Sequence, residues 1–284
     1  MKLHTIDTGF FKLDGGAMFG VVPKAIWNKT NPADENNMCS WAMRCLLIED
    51  EGKLILVDTG IGNKQDEKFL SHFYLNGEAT LEKSLAKLNY TTKDITDVIL
   101  THLHFDHCGG AIIQKNNKLI PAFENATYWT NTQHWEWAMN PNAREKASFL
   151  KENLIPLQES GQLKFIKVED KIKFSKNVKI RFAYGHTDAM MLPQIDYNGT
   201  TFLYMADLLP SVGHIPLPYV MSYDMFPIKT LEEKKRILEE AEILNYVLIL
   251  EHDPLFECCT LQTTEKGIRV DQTFSLSDYL KRSV

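Results

Sequence analysis

At 284 residues, with 44% hydrophobic and 24% charged residues, the chain has an ordinary globular composition and is long enough to bury a substantial core. A net charge of −6 argues against a nucleic-acid partner, which leaves a basic footprint, and no apolar run approaches the ~20 residues of a membrane span. Five cysteines with no CxxC pair, and a start (MKLHTIDTGFFKLDGG) lacking the apolar core and cleavage site of a secretory signal, make the reduced cytoplasm the expected compartment.

In chain order, residues 2–11 alternate loosely and run into Asp14-Gly15-Gly16, a turn. The apolar stretch 17–27, AMFGVVPKAIW, holds Gly20 and Pro23 and so predicts no regular helix; it could pack against a second copy in a homodimer. NKTNPADENN, 28–37, reads as an exposed loop. Strands at 45–48 and 54–57 flank Glu49-Asp50-Glu51-Gly52, a hairpin signal. A surface helix over 79–88 has Thr80 as N-cap and Leu81, Leu85 and Leu88 on one face. Helices over 131–139 and 143–153, parted by Asn140-Pro141, carry Trp135, Trp137, Met139 and Phe149, which either roof a site or fill the core. Strands follow at 163–168, 171–174 and 178–183, and two more, 190–197 and 201–205, flank the hairpin dipeptide Asn198-Gly199. Residues 231–244 predict an amphipathic helix with a solvated Glu/Lys face, and 246–250 a fully apolar strand.

The chemistry concentrates at 101–110, THLHFDHCGG, just past the apolar run Val98-Ile99-Leu100. Residues two apart in extended chain point the same way, so His102 and His104 present imidazoles to one side; a turn then lets Asp106 and His107 face the same cavity. Imidazole and carboxylate suit zinc, iron, manganese or cobalt. His186, Asp207 and His252 each stand one to three residues beyond a predicted strand, where sheet proteins gather ligands from distant sequence.

The run His102-x-His104-x-Asp106-His107 followed by Gly109-Gly110 resembles the signature of the metallo-β-lactamase superfamily of hydrolases. The resemblance implies an α+β fold, the αβ/βα four-layer sandwich, formed as one domain over residues 1–284. It implies two divalent metal ions, zinc foremost, one on His102, His104 and His186, the other on Asp106, His107 and His252, with Asp207 bridging both. Asp58, in Val57-Asp58-Thr59-Gly60, is then either an orienter of a ligand histidine or a plain strand-end turn. Aspartate at the bridge, where antibiotic-degrading members have Cys, argues against an antibiotic lactamase, and His104 argues against the flavodiiron branch, which has Glu there. Asp188-Ala189-Met190 after Gly185-His186-Thr187 departs from the glyoxalase II-like pattern and disfavours a thioester substrate.

Within the superfamily, GGAMFGVVPKAIW, PADENN and THLHFDHCGG resemble the N-acyl-homoserine lactonase and methyl parathion hydrolase branch. A small-molecule lactone is the expected substrate; a phosphotriester or aryl ester is the alternative enzyme reading, and a metal-binding protein without turnover the non-enzyme one. Two ions about 3.5–4 Å apart hold a hydroxide at neutral pH by lowering the pKa of water to ~7. Asp106 would orient that nucleophile and Asp207 hold the metal pair. The tyrosine that assists the substrate carbonyl in branch lactonases stands three residues after the bridging Asp; that position is Pro210 here, leaving His214, Tyr219 and Tyr223 as candidates for the catalytic role. Phe19, Val21, Val22, Trp27 and Met139 are the expected groove for an acyl chain.

Overall fold

The structure is a computed structural model, and it describes residues 1–282. Strands β1 (Lys2–Asp14) and β2 (Met38–Asp50) pair antiparallel along most of their length. Between them Asp14 caps α1 (Gly15–Phe19) by accepting from Ala17 N at 2.8 Å, Gly20 ends it at φ 58°, and Pro23 precedes the single turn α2 (Lys24–Trp27). The stretch is therefore a broken pair of turns, as Gly20 and Pro23 require. β3 (Lys53–Val57) returns through Glu51-Gly52, both at positive φ. Then come α3 (Glu67–Ser71), α4 (Leu81–Lys87) capped by Thr80, β4 (Asp97–Ile99) and α5 (Phe105–Cys108).

A small hairpin, β5 (Ile112–Lys115) with β6 (Lys118–Pro121), precedes β7 (Thr127–Asn131), α6 (Thr132–Met139) capped by Asn131, α7 (Lys151–Glu159) and β8 (Leu163–Ile166). The helix expected over 143–153 is not there: 143–145 is a turn, Lys146–Ser148 one 3-10 turn, and the helix proper starts at Lys151. Asn142 Oδ1 accepts from Arg144 N at 2.9 Å and Glu145 N at 3.1 Å, a local side-chain bond that competes with helix formation.

The second half runs β9 (Ile172–Lys173), β10 (Val178–Ala183), β11 (Met190–Tyr197), β12 (Thr200–Tyr204), α8 (Pro227–Ile243), β13 (Val247–Ile249), β14 (Cys258–Thr264), β15 (Gly267–Phe274) and α9 (Leu276–Arg282). One six-stranded sheet has the order β1-β2-β3-β4-β7-β8; a seven-stranded sheet has the order β15-β14-β13-β12-β11-β10-β9. Alternation along β2 sorts its side chains: Leu46 and Ile48 join the core shared with the second sheet, while Cys45 and Leu47 face the helical layer of Leu81, Leu85, Trp135 and Leu154. Ile237, Leu238 and Ala241 of α8 pack on the second sheet. The result is the αβ/βα sandwich, an α+β fold. No helix among the described residues is long and apolar enough to cross a membrane.

The sheets are stitched together at one end. Ala42 N donates to His252 O at 3.0 Å and Arg44 N to Glu251 O at 3.1 Å, so β2 continues onto the loop after β13. Arg44 Nη1 donates to Leu250 O, Asp253 O and Phe256 O at 2.9, 3.0 and 3.3 Å, holding that loop in shape. Arg44→Met should cost about 2–4 kcal/mol, because it leaves buried carbonyls without a donor. A urea midpoint unchanged from wild type at equal slope would show that water or a shifted loop replaces the guanidinium.

Candidate metal centre

The stitched end gathers the motif. Asp58, at φ 58° just beyond β3, accepts Thr101 N at 2.7 Å on one carboxylate oxygen and Thr101 Oγ1 at 2.6 Å on the other. Gly109 and Gly110 let the far end of the motif lie on the 59–61 loop: a Cβ on Gly109 would stand 2.1 Å from Ile61 O, and one on Gly110 2.2 Å from Thr59 O. His104 is the residue before α5, and that turn swings Asp106 and His107 inward. Glu233 of α8 accepts Tyr184 N and Gly185 N at 2.9 and 3.0 Å, fixing the loop that carries His186. Ala206, immediately before Asp207, is held at φ 43°, a left-handed conformation costly for alanine and of the kind that clusters at functional sites.

Seven side chains from these loops converge. His102, His104, His186 and Asp207 offer ligand atoms that all lie within 4.8 Å of one another, as do Asp106, His107 and His252. Asp207 stands between the two groups: Oδ2 is 3.2 Å from His186 Nε2, 3.8 Å from His102 Nε2 and 3.5 Å from His107 Nε2, and Oδ1 is 3.0 Å from His252 Nε2. Asp106 Oδ2 lies 3.7 Å from His107 Nε2 and 3.9 Å from His252 Nε2. His104 Nδ1 faces His186 Nε2 at 3.2 Å, and His107 Nε2 faces His252 Nε2 at 3.2 Å. His102 Nε2 and Asp207 Oδ1 are buried and make no hydrogen bond among the described residues. Orphaned acceptors and paired imidazole nitrogens at this depth fit a pair of cations.

The outward nitrogens are all engaged, as ligand histidines require. His102 Nδ1 meets Thr101 Oγ1 at 3.1 Å, His104 Nε2 meets Glu145 Oε1 at 2.9 Å, and His186 Nδ1 meets Asp224 Oδ1 at 2.8 Å. His107 Nδ1 lies 3.2 Å from both Asp58 Oδ2 and Glu251 Oε2, and His252 Nδ1 meets Ala42 O at 2.7 Å. Of the two readings of Asp58, these contacts favour the orienter.

Burial disfavours charge on every one of these imidazoles, and it holds His102 well below its ordinary range. At His186 and His252 burial is outweighed by carboxylates acting together, Asp207 with Asp224 at the first and Asp207 with Glu251 at the second, which push them up to about 10 and about 9. Burial likewise lifts Glu251 to about 7. Glu145 is buried too, yet its bond from His104 and further hydrogen bonds win and hold it at about 2.

A cavity of about 460 Å³ opens onto Asp106, His104, His186, Asp207 and His252. Its apolar wall is Phe69, Phe73 and Phe105, whose ring centroids are 4.7–5.3 Å apart, with Leu13, Met18 and Met221. None of the residues expected to form the groove lines it. Phe19 and Trp27 are fully buried and stacked on each other at 5.2 Å, Val21 is 92% exposed, Val22 is half-buried beside that cluster, and Met139 packs on the helical layer. The chain breaks at Gly20 and Pro23 turn this stretch into a small core of its own.

His214 is not at the cavity either. It stacks on Phe19 at 4.5 Å, with Nδ1 against Ser211 Oγ at 2.8 Å and Nε2 against Met18 O at 2.9 Å, and burial pushes it down to about 3. With both nitrogens taken, this neutral ring is a packing group and has no free atom for catalysis. Tyr219 packs edge-on to Phe19, whereas Tyr223 lines the cavity with a hydroxyl that makes no hydrogen bond among the described residues. Burial, then the charges of Asp14 and Asp106, push that phenol up to about 12. Pro210 serves through its carbonyl, which accepts His252 N at 3.2 Å. Trp135 is buried in the core; Trp137, on α6, donates to Glu145. Sequence reading missed Glu145, Asp224 and His134. His134 is buried, with Nε2 accepting Leu103 N at 2.9 Å and Nδ1 facing Asp188 O at 2.6 Å, so it ties the two ligand loops together.

The profile of the Metallo-beta-lactamase superfamily matches residues 44–252, and the chain belongs to that superfamily. A solved structure of a probable metal-dependent hydrolase from Staphylococcus aureus superposes with TM-score 0.87 at 30% identity, over 96% of each chain, placing this protein among metal-dependent hydrolases. AidC, a dizinc quorum-quenching lactonase solved with N-hexanoyl-L-homoserine, has the same fold at TM-score 0.79 and 23% identity, over 96% of this chain and 94% of that one. Among curated proteins, a probable metallo-hydrolase of Mycobacterium bovis is 32% identical over 33% of this chain and 35% of its own length. An N-acyl homoserine lactonase of Bacillus cereus is 25% identical over 66% of each. The match thus spans about a third of the first of these relatives and two-thirds of the second.

Proposed function

We propose that this hydrolase opens lactone rings, of the N-acyl-homoserine lactone type, with two divalent ions, zinc foremost. His102, His104 and His186 would hold one ion, Asp106, His107 and His252 the other, and Asp207 both. Bound there, the metals supply Lewis acidity and a water that ionises near neutral pH. The observation that carries the lactone reading is the cavity itself: the Phe69/Phe73/Phe105 wall begins directly beside Asp106, as a polar ring with an apolar tail demands. Asp106, facing the cavity, is placed to take a proton from attacking water, and the free Tyr223 hydroxyl to donate to the substrate carbonyl where Pro210 cannot. The named activity of the Bacillus cereus relative supports the same substrate. A cytoplasmic setting is supported by five buried free thiols, and a homodimer by the exposed Val21 and Ile26.

The test is turnover of metal-loaded protein on acyl-homoserine lactones of rising chain length beside an aryl phosphotriester and an aryl ester. If the phenylalanine wall takes the tail, each added CH₂ contributes roughly 0.8 kcal/mol, so two or three should raise kcat/KM about tenfold or more. Phe73→Ala should flatten that slope. Good phosphotriester turnover with no lactone turnover would reject the reading.

A further inference from the structure

Glu145 sits in the turn between α6 and α7, is 1% exposed, and collects four donors on one carboxylate. Oε1 takes His104 Nε2 at 2.9 Å and Thr187 Oγ1; Oε2 takes Trp137 Nε1 at 2.6 Å and Asn142 Nδ2 at 3.3 Å. It therefore binds together the 101–110 motif, the residue next to His186, and the segment between α6 and α7 whose Arg144, Ala147 and Ser148 line the cavity.

The hydrogen-bond chemistry fixes a direction. An ionised carboxylate only accepts, so the proton between Glu145 and His104 lies on His104 Nε2, and Nδ1 keeps its lone pair toward His186 Nε2. His104 is thus the one histidine of the centre that presents Nδ1 inward, and its partner Glu145 itself lines the cavity. The carboxylates behind His107 of the other group are Asp58 and Glu251, neither of which touches His104.

We propose that Glu145 is a positioning residue that presents His104 Nδ1 to the ion shared with His102 and His186, and so sets the affinity of that ion alone. The proposal rests on the two-ion reading above. In Glu145→Gln one acceptor oxygen becomes an NH₂. Whichever way the amide sits, a donor then faces either Trp137 Nε1–H or His104 Nε2–H, and the second arrangement drives the His104 proton onto Nδ1, where it blocks the ligand atom.

The experiment is a chelator titration of cobalt(II)-loaded wild type and Glu145→Gln, following metal count and the visible d–d bands, with apo melting as a fold control. One ion should be released at ~10–100-fold weaker affinity, the scale for lost partners of metal ligands, with altered bands, while the other is unchanged. Trp137→Phe, which keeps the carboxylate but removes a donor, should weaken the same ion by a smaller factor and covers the case in which Glu145→Gln does not fold. Unchanged affinities and spectrum, or equal weakening of both ions, overturns the proposal while the two-ion reading stands. Wild type that binds fewer than two ions overturns that reading, and this proposal with it.

Discussion

Asp207→Ala should lower kcat/KM by a factor on the order of a thousand and leave the purified protein with about one ion or none. The carboxylate lies within 3.0–3.8 Å of four imidazole nitrogens drawn from both ligand groups. Its removal deletes the anion that stands between them and brings two cations together without a shared counter-charge. Loss of the paired ions removes several kcal/mol of transition-state charge stabilisation, which is two to three powers of ten in rate. Asp207→Asn, similar in shape but neutral, should fall between alanine and wild type, because it keeps an oxygen ligand and loses the charge. Elemental analysis beside the rate assay decides the matter: two ions retained with a rate within fivefold of wild type would mean that the bridge is elsewhere.

The seven converging residues were legible because each stands where a strand ends, and strand ends are marked by apolar runs that stop at Leu100, Ala183, Met205 and Leu250. Asn198-Gly199 likewise announced its hairpin, both residues taking positive φ. What sequence did not reveal has physical reasons. Glu145 is one of two acids in a segment with helical composition, and nothing local says that Asn142 will break the helix and turn the carboxylate toward His104, 41 residues away in sequence. Asp224 reaches His186 from 38 residues away in sequence, beyond β11 and β12, and has no flanking pattern. β15 is an edge strand of mostly polar residues, β14 beside it ends in polar Gln262 to Thr264, and β5 and β6 turn on Asn116-Asn117 without apolar alternation, so periodicity did not mark them. The groove was misplaced because an apolar stretch near the site reads the same whether it lines a cavity or fills a core; Phe19, Trp27 and His214 chose the core by stacking on one another.

Stripping the metals should lower Tm by on the order of 10 °C at pH 8. A site occupied at a thousandfold its Kd stabilises by about 4 kcal/mol, and for a chain of this size each kcal/mol moves Tm by roughly 2–4 °C. Part of the loss is offset, because protons replace the ions: without metal, Asp207 together with Asp224 and Glu251 holds His186 and His252 protonated up to about 10 and about 9. The sign of the pH dependence follows. Those raised folded-state values mean that the apo protein keeps this stabilisation below the ordinary imidazole range near 6.5 and loses it as pH rises through 9 to 10. Metal affinity moves the other way, since His186 and His252 must shed these protons to ligate, so it strengthens as pH rises. The gap between holo and apo Tm should therefore widen from pH 6 to pH 9. Differential scanning calorimetry of chelated and reloaded protein across that range measures it directly; a gap that is constant or narrows with pH would show that protons and metal do not compete for these imidazoles.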